Sequence, residues 1–333
     1  MDNERKAQVA ILGTGSYLPE RVVTNDEVAP GMGSSDEWIF THTGIHSRHW
    51  AAPEESSSTL GAVAGQRALE AAGLKPEDID FILCATSTPD YGNFPSTACL
   101  VQKHMGCVNA AALDVAAACS GFAYALEMGR CYVLAHPDHK VLVLGTEVLS
   151  RSVDWTERTV SMLFGDGAGA VVLGSRPEGF PEAPCASLLG ADGTGYEAIY
   201  REGGLKEEPK PDMPIPYMKM QGRAVFNFAV KKLDSIITDL CAQAGVDKNS
   251  LTRIFPHQAN ARIIEAVARR AELPLEKFFC NLETIGNTST ASIPLCLDQA
   301  VRSGELKPGD RIALAGFGSG LTWAGMLMTW PSL

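Results

Sequence analysis

Residues 140–146 read KVLVLGT, and residues 310–316 read DRIALAG. Each opens on charge, runs on as apolar residues and closes on a small one, so each reads as a strand. Each also follows a helical pattern that is preceded by a turn of small residues. The first turn is Ala118-Cys119-Ser120-Gly121, and the second is Gly286-Asn287-Thr288-Ser289. Further upstream, Pro76-Glu77-Asp78-Ile79-Asp80 leads into a strand at Phe81–Thr86, and Asp247-Lys248-Asn249-Ser250 leads into Arg253–His257. The chain therefore reads as a duplication. Further strands are expected at Val9–Leu12, Ala111–Val115, Gly169–Leu173 and Gly325–Thr329. Helices are expected at Thr59–Ala72, Ser96–Met105, Gly121–Ala135, Ala224–Ala244, Ala261–Ala271 and Ala291–Ser303. Strands alternating with helices of this length predict an α/β protein with parallel or mixed sheets. Two facing halves would bring the small-residue turns together at strand ends, where open α/β sheets place ligands. The halves are expected at 1–175 and 222–333. The stretch 176–221 is rich in Pro, Gly and charge (Glu207-Glu208-Pro209-Lys210-Pro211-Asp212) and reads as an excursion between them.

Composition removes several function classes. The chain has 333 residues, 45% of them hydrophobic and 20% charged, which suits a large buried core and not disorder. The formal net charge of -11 argues against nucleic acid as a partner and against adsorption to anionic membrane. No apolar run reaches the roughly 20 residues of a membrane span. Met1–Gln8 is charged and enters a short apolar run directly, without the apolar segment of a secretory signal. The expected compartment is the cytoplasm. The 9 cysteines agree, being odd in number and without a CxxC pair.

Cys119 sits between an expected strand and an expected helix. A thiol at a helix start feels the positive end of the dipole, which favours the thiolate. Its local context fits a nucleophile and a buried structural cysteine equally. His257 closes a strand just before a helix, where sites are built and where capping histidines also occur. Asn287 precedes a helix and reads equally well as an N-cap. Gly316-Phe317-Gly318-Ser319-Gly320 follows a strand and exposes backbone N–H groups, which suits an oxyanion site or a tight turn. Gly165–Ala170 suits close strand packing. Ile11-Leu12-Gly13-Thr14-Gly15-Ser16 lacks the third glycine of a dinucleotide loop, so NAD binding is rejected. His42, His46 and His49 lack the ligand set of a metal site and read as surface or capping residues. Arg262, Arg269 and Arg270 fall on one helix face, either an ordinary solvated face or a site for an anionic partner.

At this point the motifs carry a family resemblance over essentially the whole chain. GTGSYLPE (13–20), SSDEWI (34–39), DVAAACSGF (114–122), FGDGAGAVVL (164–173), PHQAN (256–260), GNTSTASIP (286–294) and GFGSGLTWAG (316–325) appear in order. The sequence resembles β-ketoacyl-acyl-carrier-protein synthase III, the initiating condensing enzyme of type II fatty-acid synthesis. The resemblance implies a thiolase-like duplicated fold of five α-β-α-β-α layers. It also implies a decarboxylative Claisen condensation of an acyl-CoA primer with malonyl-acyl-carrier protein, through an acyl-Cys119 intermediate.

Carried over position by position, Cys119 falls on the acylated nucleophile, and His257 and Asn287 fall on the other two catalytic positions. Backbone N–H groups of Cys119 and Ser319 would hold the oxyanion, Ser319 standing where the family has glycine. Trp38 and Arg158 fall where the CoA adenine is sandwiched, and Asn260 where the pantetheine arm is contacted. Phe94 matches a residue reaching the partner subunit's acyl pocket, which implies a homodimer and leans toward short primers such as acetyl-CoA. Arg262, Arg269 and Arg270 match the basic face that docks the acidic carrier protein. His42 stands in place of a CoA-side arginine. Arg223 and Asn227 stand in place of a common Asn and Lys, with Arg223 able to substitute for the lost charge. The resemblance implies no metal, and no cofactor beyond the CoA thioester, which is a substrate. A synthase III relative making quinolone- or polyketide-type products would use the same triad. A degradative thiolase would need a second reactive cysteine where this chain has Gly318-Ser319-Gly320.

Overall fold

A computed structural model of the chain describes residues 9–92, 94–176, 183–202 and 217–330. Both Met1–Gln8 and the charged stretch at 207–212 lie outside the described residues. The first half contains β1 (Val9–Tyr17), β2 (Arg21–Thr24), α1 (Asn25–Val28), α2 (Asp36–Thr43) and β3 (Ser47–Trp50). It continues with α3 (Ser57–Ala72), β4 (Phe81–Ala85), α4 (Thr97–Met105), β5 (Ala111–Val115) and α5 (Gly121–Ala135). It closes with β6 (Val141–Glu147), α6 (Arg158–Ser161) and β7 (Gly167–Ser175). Then come β8 (Ala186–Ala191), β9 (Ile199–Arg201), β10 (Met218–Met220), α7 (Gly222–Ala244) and β11 (Arg253–Pro256). The chain ends with α8 (Ala261–Ala271), α9 (Leu282–Ile285), α10 (Ser292–Arg302), β12 (Arg311–Gly318) and β13 (Thr322–Thr329).

The duplication is plain in the strand order. One sheet runs β1-β7-β6-β4-β5, and the other runs β8-β13-β12-β11. A parallel bridge from Ile254 to Phe278 stands where the first sheet has β5. Parallel and antiparallel pairings match strand for strand. Helices α3 and α4 cover the outer face of the first sheet, and α7 with α8 covers the second. Helices α5 and α10 lie between the sheets and touch both. That is the expected five-layer α-β-α-β-α arrangement.

The apolar runs explain why. In β6, Leu142 and Leu144 join the outer core with Leu60 and Ala64, while Val141 and Val143 join the central core with Phe122 and Leu126. In β12, Ala313 and Ala315 join the second outer core, while Ile312 and Leu314 face the central one. A strand alternating between two cores must be apolar throughout.

Three boundaries differ from the sequence reading. The stretch 176–221 is not only an excursion: β8 pairs with β13 and is the counterpart of β1, so the second half begins before Gly222. Proline- and charge-rich flanks hid that strand. The next strands, β9 and β10, pair antiparallel and line the cavity. Residues 316–318 are strand, and the turn lies between Gly318 and Thr322. Finally, β1 extends through the false dinucleotide loop. A Cβ on Gly13 would stand 2.4 Å from the Ala68 carbonyl and one on Gly15 2.3 Å from that of Ala64. The glycines let α3 pack against the strand.

Candidate active site

The two small-residue turns meet as expected. Cys119 lies in a single helical turn, 118–120, between β5 and α5. Ser289 opens the equivalent turn, 289–291, before α10. The Ser289 hydroxyl donates to Cys119 Sγ at 3.2 Å. Backbones crowd together here: a Cβ on Gly145 would stand 2.3 Å from the Thr290 carbonyl, and one on Gly318 2.7 Å from the Cys119 nitrogen. Only glycine permits that approach.

Cys119, His257, Asn287, Ser289 and Ser319 all line one cavity of about 410 Å³, with Phe317 and Gly318. His257 follows the end of β11, its N–H donating to the Ala315 carbonyl at 2.8 Å. It is 1% exposed, and Phe317 meets its ring edge-on. Burial depresses its pKa to about 3, so the ring is neutral at physiological pH. Asn287 is held by its N–H to the Leu163 carbonyl and its own carbonyl accepting from Gly165 N. Its Oδ1 accepts the Ser289 N–H at 2.8 Å, which leaves the amide NH2 as the group it can offer the cavity. The cavity thus joins a thiol to two neutral hydrogen-bond donors.

At the thiol, burial works against the helix start. Cys119 opens to the cavity but is otherwise enclosed, and burial pushes its pKa up to about 12. The Ser289 hydroxyl and its own backbone N–H oppose this, while the Glu147 charge adds to it. Desolvation thus opposes the helix start and favours the protonated thiol in the resting site. Glu147 is itself fully buried. Burial raises its pKa, against donors that include the Thr88 hydroxyl at 2.7 Å and the Ser87 N–H at 3.1 Å.

The remaining predicted positions divide. Arg158 stands over the Trp38 ring at 4.6 Å, and His42 stacks on that ring at 4.1 Å. Trp38 and Arg158 are therefore together but closed on each other, so a base between them requires them to part. His42 lines the cavity and is no mere surface residue, its Nδ1 lying 2.7 Å from the Trp38 carbonyl. His46 pairs with Asp36, and His49 lies against the Pro19 carbonyl. Asn260 lines the cavity, caps α8 through the Arg262 N–H and donates to the His42 carbonyl. Ser319 also lines it, its hydroxyl tied to the Ile199 carbonyl on β9. Phe94 is 87% exposed and stands outside this chain's cavity. Arg223, Arg262, Arg269 and Arg270 are exposed, and Arg270 is bound to Asp234 at 2.7 Å.

Sequence reasoning missed Ser289, Ser292 and Glu147. It also missed Met218 and Met220, which line the cavity from β10. A hydroxyl 170 residues from its thiol leaves no local signal.

Known proteins match this arrangement. The family described as 3-oxoacyl-[acyl-carrier-protein (ACP)] synthase III matches residues 113–193, and its C-terminal part matches 241–330. The β-ketoacyl-[acyl-carrier-protein] synthase III of Caldanaerobacter subterraneus subsp. tengcongensis is 45% identical over 98% of both chains. The crystal structure of 3-oxoacyl-[acyl-carrier-protein] synthase III from Aquifex aeolicus VF5 superposes with a TM-score of 0.90. It is 40% identical, covering 97% of this chain and 100% of that one. The priming β-ketosynthase of the R1128 polyketide pathway also gives 0.90, at 35% identity, covering 100% of this chain and 99% of that one.

Proposed function

The chain belongs to the 3-oxoacyl-[acyl-carrier-protein] synthase III family, and on that premise we propose the reaction its cavity performs. It is an acyltransferase of the condensing kind that initiates fatty-acid synthesis. It joins an acyl-CoA primer to malonyl-acyl-carrier protein. The observation that carries the assignment of residues is the shared cavity of Cys119, His257 and Asn287.

In the first half-reaction the Cys119 sulfur attacks the primer's thioester carbonyl. The oxyanion is held by the backbone N–H groups of Cys119 and Ser319, and CoA leaves carrying the proton the thiol gave up. In the second, malonyl-carrier protein enters. His257 and Asn287 donate hydrogen bonds to its thioester carbonyl and stabilise the enolate formed as CO2 departs. The enolate carbon attacks acyl-Cys119, the β-ketoacyl-carrier product forms, and one proton restores the thiol. Both donors act neutral, in keeping with the depressed pKa of His257. No cofactor is required, since the CoA thioester is a substrate.

Three further assignments belong to the same reading. Trp38, Arg158 and Asn260 contact CoA, with Trp38 and Arg158 parting to admit the adenine. Exposed Arg262 and Arg269, with Arg223 on α7, dock the acidic carrier protein, and Arg270 contributes less because Asp234 engages it. The working unit is a homodimer in the cytoplasm. Support for a dimer lies in Phe94, exposed outside its own cavity, and in β5, an edge strand carrying the 44% exposed Leu113. Among the described residues no helix is long and apolar enough to cross a membrane.

Intact-protein mass spectrometry after exposure to mixed acyl-CoAs, then malonyl-carrier protein, tests the reading. An adduct on Cys119 that discharges into a β-ketoacyl-carrier product supports it and names the primer. An adduct that resists malonyl-carrier protein but passes to another acceptor favours a polyketide-type role, the pathway to which the R1128 priming β-ketosynthase belongs.

A further inference from the structure

One hydroxyl beside His257 has two claims on its single proton. Ser292 Oγ lies 2.7 Å from His257 Nδ1 and 2.8 Å from the Ser289 carbonyl oxygen. If the proton goes to the carbonyl, Nδ1 must carry the ring proton and donate to Ser292. If it goes to Nδ1, the ring proton sits on Nε2. The Ser289 carbonyl also accepts the backbone N–H of Ser292, so it keeps a donor when the hydroxyl turns away. Among the described residues nothing comparable serves Nδ1, for which Ser292 is the hydrogen-bond partner in this buried site.

We propose that Ser292 is the positioning residue for His257: its hydroxyl donates to Nδ1 and so fixes the ring proton on Nε2, where it faces the cavity. This rests on the reaction proposed above and specifies how the site presents its donors. The neighbouring group follows the same rule. The Ser289 N–H donates to Asn287 Oδ1 and turns that amide's NH2 outward. One segment, 287–292, thus orients both donors, the first through a backbone N–H and the second through a hydroxyl. Two N–H groups converging on one carbonyl stabilise charge that develops there. The opposite ring tautomer would set a nitrogen lone pair against the same oxygen and repel it.

The tautomer can be read directly by NMR of protein labelled with ring-15N histidine, since nitrogen shifts and two-bond couplings distinguish the two forms. The His257 signal is assigned by its loss in His257→Asn. At pH 7.5 the wild-type ring is expected with its proton on Nε2. In Ser292→Ala the signal moves toward a mixture of tautomers. Condensation then slows about tenfold in kcat, because one donor is only partly presented, with little change in the KM for acyl-CoA. Ser292→Thr, which keeps the hydroxyl, restores the Nε2 form. A wild-type ring protonated at Nδ1 overturns the proposal without recourse to any variant. So does a signal unchanged in Ser292→Ala, whichever way activity goes. A tautomer that shifts as described in a protein showing no condensation at all would instead count against the proposed reaction and leave the role of Ser292 standing.

Discussion

The turns at 118–121 and 289–292 are one backbone design used twice. Each begins on a non-glycine residue with positive φ, Ala118 at 44° and Ser289 at 48°. Each makes a single tight turn and enters a central helix that touches both sheets. Their side chains diverge. The first turn presents the Cys119 thiol. The second holds Thr290 at the equivalent place, buried and bonded to the Ala85 carbonyl at 3.0 Å and to Glu147 at 3.1 Å. Around that second turn lie Asn287, Ser289 and Ser292, which orient donors. The strand ends differ likewise. Ala85 pairs with Gly145 and Pro256 with Ala315, so Thr86 stands where the second half has His257. Duplication of the backbone sets the convergence at the cavity. In the proposed reaction, divergence of the side chains divides the labour, with the acyl group carried by one half and enolate stabilisation supplied by the other.

The strongest way to break this comparison is to exchange the turns' roles. Cys119→Ser is expected to cut primer-dependent condensation by at least about a thousandfold while CO2 release from malonyl-carrier protein persists. Adding Thr290→Cys, the same position in the other turn, restores nothing, because that side chain is buried against Ala85 and Glu147. Product analysis by mass spectrometry checks both, and recovered condensation in the double variant would dissolve the distinction. The shared backbone is tested by Gly145→Ala, whose Cβ has no room beside the Thr290 carbonyl. Stability should fall by about 1–3 kcal/mol, read as a lower urea midpoint.

The raised pKa of Cys119 sharpens the contrast further. Its thiol is protonated below about 12, so only a small fraction reacts at neutral pH and that fraction grows with pH. Alkylation of Cys119 by iodoacetamide should therefore climb about tenfold per pH unit from 7 to 10, with no plateau. Ser289→Ala, which removes a hydroxyl favouring the thiolate, should slow it several-fold at each pH. A plateau below pH 9 would mean that the helix start outweighs burial after all. His257 gives the opposite sign. Its pKa falls from 6.5 to about 3 on folding, so its contribution to stability is present above pH 6.5 and lost as pH falls toward 3. Melting temperatures between pH 7.5 and 4.5 should drop less in His257→Asn than in the wild type. The smallest effect is expected at the surface. Arg262→Glu and Arg269→Glu should raise the KM for carrier protein several-fold, less so at high salt. Arg270→Ala should do least, since Asp234 already engages that side chain.

Much of this was legible in the chain. KVLVLGT and DRIALAG gave away the duplication because a strand shared between two cores must be apolar on both sides. Cys119, His257 and Asn287 were marked by strand-to-turn context and by family motifs. What stayed hidden depends on contacts distant in sequence. Ser292 lies 35 residues from His257, and Ser289 lies 170 from Cys119. Nothing local separates those serines from ordinary turn residues. Strand β8 escaped because its flanks look like loop, although its pairing with β13 makes it the counterpart of β1. The enclosure that opposes the helix start at Cys119 also leaves no mark in the sequence, because it is built from residues distant in the chain.

The division of labour is tested most directly by one experiment on the His257→Ala/Asn287→Ala double variant. Incubated with the preferred acyl-CoA and followed by intact-protein mass spectrometry, it should gain the acyl group on Cys119 at close to the wild-type rate. On addition of malonyl-carrier protein the adduct should then persist, with neither CO2 nor β-ketoacyl product released. An adduct that fails to form, or one that discharges normally, would contradict the separation of roles between the two halves.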